Sequence, residues 1–401
     1  MTINLRKNIR TYYGYSLFSN LLILGPIMTI YFFSKGLSFA EIMLLSSIAS
    51  VTVVVCEVPT GAVADKIGRK ASMLLGALLW AVSLLIFVFG HSFYAFAMAE
   101  IIFSIGSTFK SGSDVALIYD SLKAEGQEHR FQEIEGKAKS YLLYAQAVGS
   151  IAASFLYEIN KELPFIISAI FVFISIIIGL NLSEPPIENK KGKYGEKYLK
   201  QIKDSGIYVM RHVKLRAIIL YSMMFFVFYR VGFFLVQPYF EGVNIPVKLF
   251  GLIFFFFNIV AAQVSKNAHK IMKATKGKTL ILLSVLMVVS FLLMGLSKWW
   301  IGVIPMMLQQ VARGLYHPTV RKHLNKNIPS DKRATILSFF SLLTNLAGAI
   351  FYPIFGILKD KTDIFTFHLS IGVVMLGLTC FFAVYLNKKL GKSKSSNNLS
   401  V

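Results

Sequence analysis

The sequence predicts an all-α membrane protein with twelve transmembrane helices in two six-helix bundles, and three observations carry that expectation. First, the 401 residues are 55% hydrophobic with mean hydropathy +0.61, and only 15% are charged. A soluble domain carries about 25% charged residues. Second, twelve stretches meet the roughly 20 apolar residues a span needs, alternating with short polar loops. Third, a Lys-rich break divides those stretches six and six.

In order, the spans are expected near 11–33, 40–62, 71–90, 93–117, 138–158, 163–182, 216–240, 248–266, 278–297, 299–320, 333–357 and 364–387. The start, MTINLRKNIR, is a basic flank, but the apolar run after it is too long and lacks a small-residue cleavage site. It reads as a first span, not a removable signal. Pro185-Pro186 ends the sixth, and residues 183–215 form a cytoplasmic linker too polar for membrane. Within it, Glu196 to Arg211 can form a surface helix, with Tyr198, Ile202, Ile207 and Met210 on its less polar side. The bundles are thus 1–182 and 216–390, and the polar tail 391–401 is expected to be disordered. A faint repeat relates the halves: a shift of 195 residues puts Lys137 on Lys332, Gln146 on Ser341 and Tyr157 on Tyr352.

The net charge of +22 invites a nucleic-acid reading, yet zinc-finger spacing, a basic helix and aromatic RNA-binding signatures are all missing. The positive charge lies instead in loops between apolar runs. With the N-terminus inside, about 33 of the 42 Lys and Arg residues fall on the cytoplasmic side and about 6 outside, which predicts that both termini are cytoplasmic. Cys56 and Cys380 sit far apart in apolar runs and imply no disulfide. No Walker loop, HExxH, Gly-x-Ser-x-Gly or Cys/His cluster occurs. Hydrolysis and nucleotide-driven pumping therefore have no visible apparatus, and no enzyme activity, cofactor or metal is expected.

One hairpin organises the chain: Glu57 to Leu74, EVPTGAVADKIGRKASML, between spans 2 and 3. Gly61 lets helix backbones approach, and Gly68 permits a turn that a side chain would obstruct. Asp65 offers an anion to a helix N-terminus, and Arg69 a two-pronged bond to a carboxylate. Gly61 to Leu74 resembles the loop signature of the major facilitator superfamily of secondary transporters, GxLaDrxGRkxxL, with Val63 and Lys66 replacing the usual Leu and Arg. The resemblance implies two similar halves about a central cavity. It also implies that Asp120, closing the run Ser111 to Leu122, meets Arg69, and that Asp65 latches onto the start of span 11 at Ser330, Asp331, Lys332 and Arg333.

A charge at the middle of a span costs about 2.5–3.5 kcal/mol on insertion scales, so each needs a reason. Here they are Glu57, Glu100, Lys110, Asp114, Arg230 and Arg313. Glu57 and Asp114 lie toward the cytoplasmic ends, where structural pairing is an equal explanation. Lys110 and Asp114, four apart, are expected to neutralise each other on one helix face. In span 4 the family's drug:proton antiporter branch carries RxxqGxG, and the register that puts Gly106 on the last Gly puts Glu100 on the Arg. The resemblance therefore makes Glu100 a candidate proton carrier, with Glu57 and Asp114 beside it. The branch's fifth-helix pattern, gxxxGPxxGG, is not matched: Gln146 to Ser154 has small residues but no Gly-Pro pair. Arg313 is expected to bind an anionic substrate group or to act as counter-ion to a first-half carboxylate.

The cavity should be lined from spans 1, 4, 7 and 10 with 2, 5, 8 and 11 beside them, and Asn20, Gln146, Tyr144, Phe226, Tyr229, Arg230, Arg313 and Asn345 are its polar, charged and aromatic candidates. Such a lining suits amphipathic compounds through stacking and cation–π contact. The leading expectation is a monomeric, proton-coupled exporter of small amphipathic molecules, a multi-pass protein of the cell membrane working by alternating access. Its partners would be a small-molecule substrate, protons and membrane lipid. An importer or uniporter of a sugar, amino acid or organic anion is the first alternative. A lipid flippase and a non-transporting receptor or scaffold are the others.

Overall fold

Every regular element described in the computed structural model, which covers residues 5–185, 194–275, 278–329 and 332–396, is helical. The linker's residues 186–193, the Ser330-Asp331 start of the expected latch and the tail's last residues 397–401 lie outside this range. The helices are α1 (Leu5–Asn20), α2 (Met28–Ser34), α3 (Phe39–Ile67), α4 (Arg69–Phe89), α5 (Phe93–Lys110), α6 (Ser113–Ala124), α7 (Phe131–Ile159) and α8 (Leu163–Gly179). They continue as α9 (Tyr194–Arg211), α10 (Val213–Gly242), α11 (Val247–Lys266), α12 (Ala268–Ala274), α13 (Thr279–Leu296), α14 (Val303–Asn327), α15 (Arg333–Asp360) and α16 (Ile364–Ser396).

Eight of the described helices are long and apolar enough to cross a membrane: α3, α4, α7, α10, α11, α13, α15 and α16. The other four expected spans take different forms, each for a visible reason. Span 1 is broken into α1 and α2 around Gly25-Pro26. Proline lacks the N–H that a continuous helix would need there. Span 4 is broken between α5 and α6 at Gly112, whose φ of +79° is left-handed and favours glycine. Span 6 is α8, apolar but only 17 residues. Span 10 is α14, 25 residues long but too polar to qualify on composition.

The chain forms two compact units, Met1–Lys197 with Val247–Phe255, and Tyr198–Pro246 with Phe256–Val401. In the first, α4 packs on α5 and α8, and α1 packs on α7 and α8. The α4–α5 seam is stitched by small polar residues: Ser83 Oγ donates to Ala99 O (2.8 Å), Ser72 Oγ to Phe109 O (2.8 Å) and Trp80 Nε1 to Phe103 O (3.0 Å). This is membrane helix packing, where small side chains and interhelical hydrogen bonds replace hydrophobic drive. One end is filled by buried Tyr31, Phe32, Phe87, Phe96 and Phe165, with Tyr31 and Phe165 ring centroids 4.1 Å apart. In the second unit, α13 packs on α14 and α16, and α10 on α14, α15 and α16. Tyr316 stacks on Phe225 at 4.9 Å and its hydroxyl donates to Ser222 O (3.1 Å).

From Tyr198 onward α9 belongs to the second unit, and Gly206 lies against the Phe339 ring of α15. Ser205 and Val209 turn inward, while Ile207 and Met210 of the apolar side are exposed. The α16 helix runs on to Ser396, beyond the residue at which the second bundle was expected to end.

Candidate functional site

The break of span 1 and the break of span 4 meet at Lys110. The residue is 4% exposed, and its ammonium donates to Ser19 O (3.3 Å) and Asn20 Oδ1 (3.2 Å). It also sits 3.6 Å from the Trp80 ring centroid, with the Tyr15 ring at 5.9 Å. Helix ends leave their last carbonyls unpaired and carry partial negative charge. Here three carbonyls of the last turn of α1 are answered by side chains. Asn20 Nδ2 donates to Ser16 O (2.9 Å), Lys110 to Ser19 O, and Gln146 Nε2 of α7 to Asn20 O (3.1 Å). Lys110 is thus a cationic cap on a helix that stops inside the bundle, and Trp80 takes the remaining face of its charge. Gly76 of α4 makes room, since a Cβ there would fall 2.7 Å from Lys110 Cγ.

Lys110 and Asp114 lie near enough for their charges to act on each other, but not in the direct contact on one helix face that the four-residue spacing implies. The turn at Gly112 takes them off a common helix face, no ion pair forms, and Asp114 accepts from the N–H of Val115 instead (2.8 Å). Glu57 and Glu100, the other carboxylates expected to handle protons, are both half-buried, on α3 and α5. Of the expected cavity residues, the structure brings Asn20 and Gln146 together around Lys110. Tyr144, two residues before Gln146, is 75% exposed. An apolar hollow of about 420 Å³ beside the break, lined by Leu21, Ile23, Val148, Gly149, Ile167 and Phe171 among others, contains none of the expected site residues.

In the second unit Arg313 Nη1 donates to Asn258 Oδ1 of α11 (3.1 Å) and to Gln310 Oε1 (3.4 Å). The Arg230 guanidinium lies 5.2 Å from the Phe234 ring centroid and 5.9 Å from that of Phe233. Phe226 and Tyr229 are half-buried neighbours, 6.2 Å apart. Asn345 donates back to its own helix at Ser341 O (3.0 Å). Among the described residues, none of Lys110, Arg230 and Arg313 has a carboxylate partner.

The hairpin between α3 and α4 turns at Gly68, with φ +94° and ψ 165°. Arg69 reaches Asp65 Oδ1 at 3.6 Å and Asp120 Oδ2 at 4.0 Å, so the expected Arg69–Asp120 meeting occurs. Both contacts are long and part-exposed, and such pairs are worth about 0–1 kcal/mol. The stronger fastening comes from Glu184, which the sequence reading missed. Its two oxygens accept the first N–H groups of α4, Arg69 N at 2.6 Å and Lys70 N at 2.8 Å. Lys70 Nζ in turn donates to Leu180 O (2.7 Å) at the end of α8. Buried Asn8 bonds to both Ser183 and Ser121, joining α1 to the same stretch. Asp65, at the end of α3, pairs with Arg69, and it is Glu184 that serves the start of α4. The signal was present: a lone acid, SEPP, directly after a span.

Residues 12–352 match the model of the Major Facilitator Superfamily. The chain belongs to that family. Among its relatives is an uncharacterized MFS-type transporter, YxaM, of Bacillus subtilis, 24% identical over 365 residues that cover 88% of this chain and 89% of the relative. The quinolone resistance protein NorA of Staphylococcus aureus is 21% identical over 161 residues, 40% of each chain. Solved structures share the superfamily fold. The nucleoside transporter NupG superposes with TM-score 0.77 at 16% identity, over 96% of this chain and 99% of the other. A D-xylose-proton symporter gives 0.68 at 14% identity, over 95% and 97%. The protein is therefore a membrane transporter and not an enzyme.

Proposed function

We propose that this superfamily member is a proton-coupled exporter of small amphipathic compounds, working as a monomer by alternating access. It would sit in the cell membrane with both termini cytoplasmic, in line with the Lys and Arg bias of its loops. The observation that carries the reading is Lys110, a buried ammonium capping a span that stops partway through. Discontinuous helices whose ends meet charged groups are where transporters of several folds place substrates and coupling ions. Glu100, Glu57 and Asp114 are the carboxylates assigned to proton handling. Asn20, Gln146, Tyr144, Phe226, Tyr229, Arg230, Arg313 and Asn345 are assigned to substrate. Gly61, Asp65, Gly68, Arg69 and Asp120 are the gating hairpin. Similarity to a quinolone resistance protein over part of the chain supports export.

The test is flux into proteoliposomes of a panel of amphipathic compounds under imposed pH gradients of either sign. Export by antiport predicts uphill movement opposite to the proton flow, lost on Glu100→Gln. Movement in the same direction as protons would replace export by import. Flux that ignores the gradient would remove the coupling.

A further inference from the structure

We propose that Arg313 is the receptor for a carboxylate on the transported molecule, so that the substrates are amphipathic organic acids. This inference rests on the transporter reading and narrows its substrate class. A guanidinium has five N–H donors, and the edge formed by Nε–H and Nη2–H matches the two oxygens of a carboxylate. In Arg313 both hydrogen bonds are made by Nη1, to Asn258 Oδ1 and Gln310 Oε1. Neither Nε nor Nη2 has a partner among the described residues. The two amides therefore hold the fork in place and leave its carboxylate-binding edge unspent. The residue is half-buried, so its side chain is not sealed inside the unit.

The charge balance points the same way. The amide oxygens of Asn258 and Gln310 are neutral and orient the cation without cancelling it. Arg230, on α10 of the same unit, is exposed, has no carboxylate partner among the described residues and rests on the Phe234 ring. A half-buried guanidinium with no counter-charge carries a desolvation cost, and an incoming anion supplies the missing counter-charge. Aromatic surface for the rest of the molecule is close by. Tyr316, one turn along α14 from Arg313, lies 6.1 Å from Phe226, which lies 6.2 Å from half-buried Tyr229. A planar acid with an apolar body fits this pairing of open fork and rings. An ammonium compound would meet uncompensated positive charge.

The full chain, purified in detergent, would be titrated by isothermal calorimetry with matched sets of aromatic carboxylates, their primary amides and the corresponding methylammonium compounds, beginning with 2-naphthoate. The expected result is a preference of at least tenfold for carboxylate over amide in the wild type. Arg313→Gln should abolish the preference, and Arg313→Lys, which keeps the charge but loses the fork, should retain part of it. Equal or better binding of the amide or the ammonium compound overturns the assignment, as does a full preference persisting in Arg313→Gln or the absence of binding by every carboxylate. The wild-type selectivity needs no variant to fold. An amide or ammonium compound that binds and is moved by a pH gradient would leave the exporter standing while removing the carboxylate receptor.

Discussion

Lys110 is an ammonium held by neutral oxygens and aromatic faces, with no carboxylate in ion-pair contact among the described residues. Replacing a buried ammonium by an apolar side chain of similar length removes the cost of holding its charge out of water. Lys110→Met should therefore keep or raise the Tm in detergent while lowering transport at least tenfold, because the end of α1 loses its cap. A Tm falling together with activity would make the residue merely structural. Gly68 offers the opposite case. Its φ of +94° and ψ of 165° belong to a region nearly closed to other residues, and a Cβ would come within 2.9 Å of Glu184 Oε1. Gly68→Ala should cost about 1–3 kcal/mol in reversible SDS unfolding, and an unchanged midpoint would contradict the turn geometry. Gly68, Arg69 and Asp120 were legible because one short motif specifies them. The partners of Lys110 were not: Trp80 comes from α4 while Ser19 and Asn20 come from α1, and nothing in local spacing links them.

At the scale of helices, capping carries the largest legible and illegible terms. Glu184 supplies the N-terminal acceptors of α4 because Gly68, in the N-cap position, has no side chain to do so. Glu184→Ala should lower stability by about 0.5–2 kcal/mol, the range for losing such a cap, measured as above. Loops at the far helix ends use the same chemistry. Glu162 bonds Lys35 at 2.7 Å, and that hydrogen bond holds its carboxyl below the usual glutamate range. A lowered folded value means the pair stabilises above the ordinary value near ~4.3, and this contribution is lost as pH falls through the lowered one. The wild type should lose its Tm advantage over Glu162→Gln as the pH falls below the ordinary glutamate value, and parallel Tm curves would remove the pair as a contributor. The helix breaks could have been read from Gly25-Pro26 and Gly112. Counting apolar runs of span length hides them, because a broken span and a continuous one have the same hydropathy. For the same reason α14 was readable as a span only through its position, its polarity being the mark of what it holds.

At the scale of the molecule, the all-helical superfamily architecture followed from hydropathy and one hairpin, since both are local or additive properties of the chain. Substrate and coupling are neither, because they depend on which side chains from distant helices share a space. The account stands on a transporter whose broken spans are held by a buried cation. The most direct measurement is pH-gradient-driven transport in proteoliposomes, wild type beside Lys110→Met, with Tm recorded for both. Uphill, gradient-dependent movement in the wild type, at least tenfold slower in the variant at an equal or higher Tm, is the predicted result. Equal rates in the two proteins, or movement indifferent to the gradient, would contradict it.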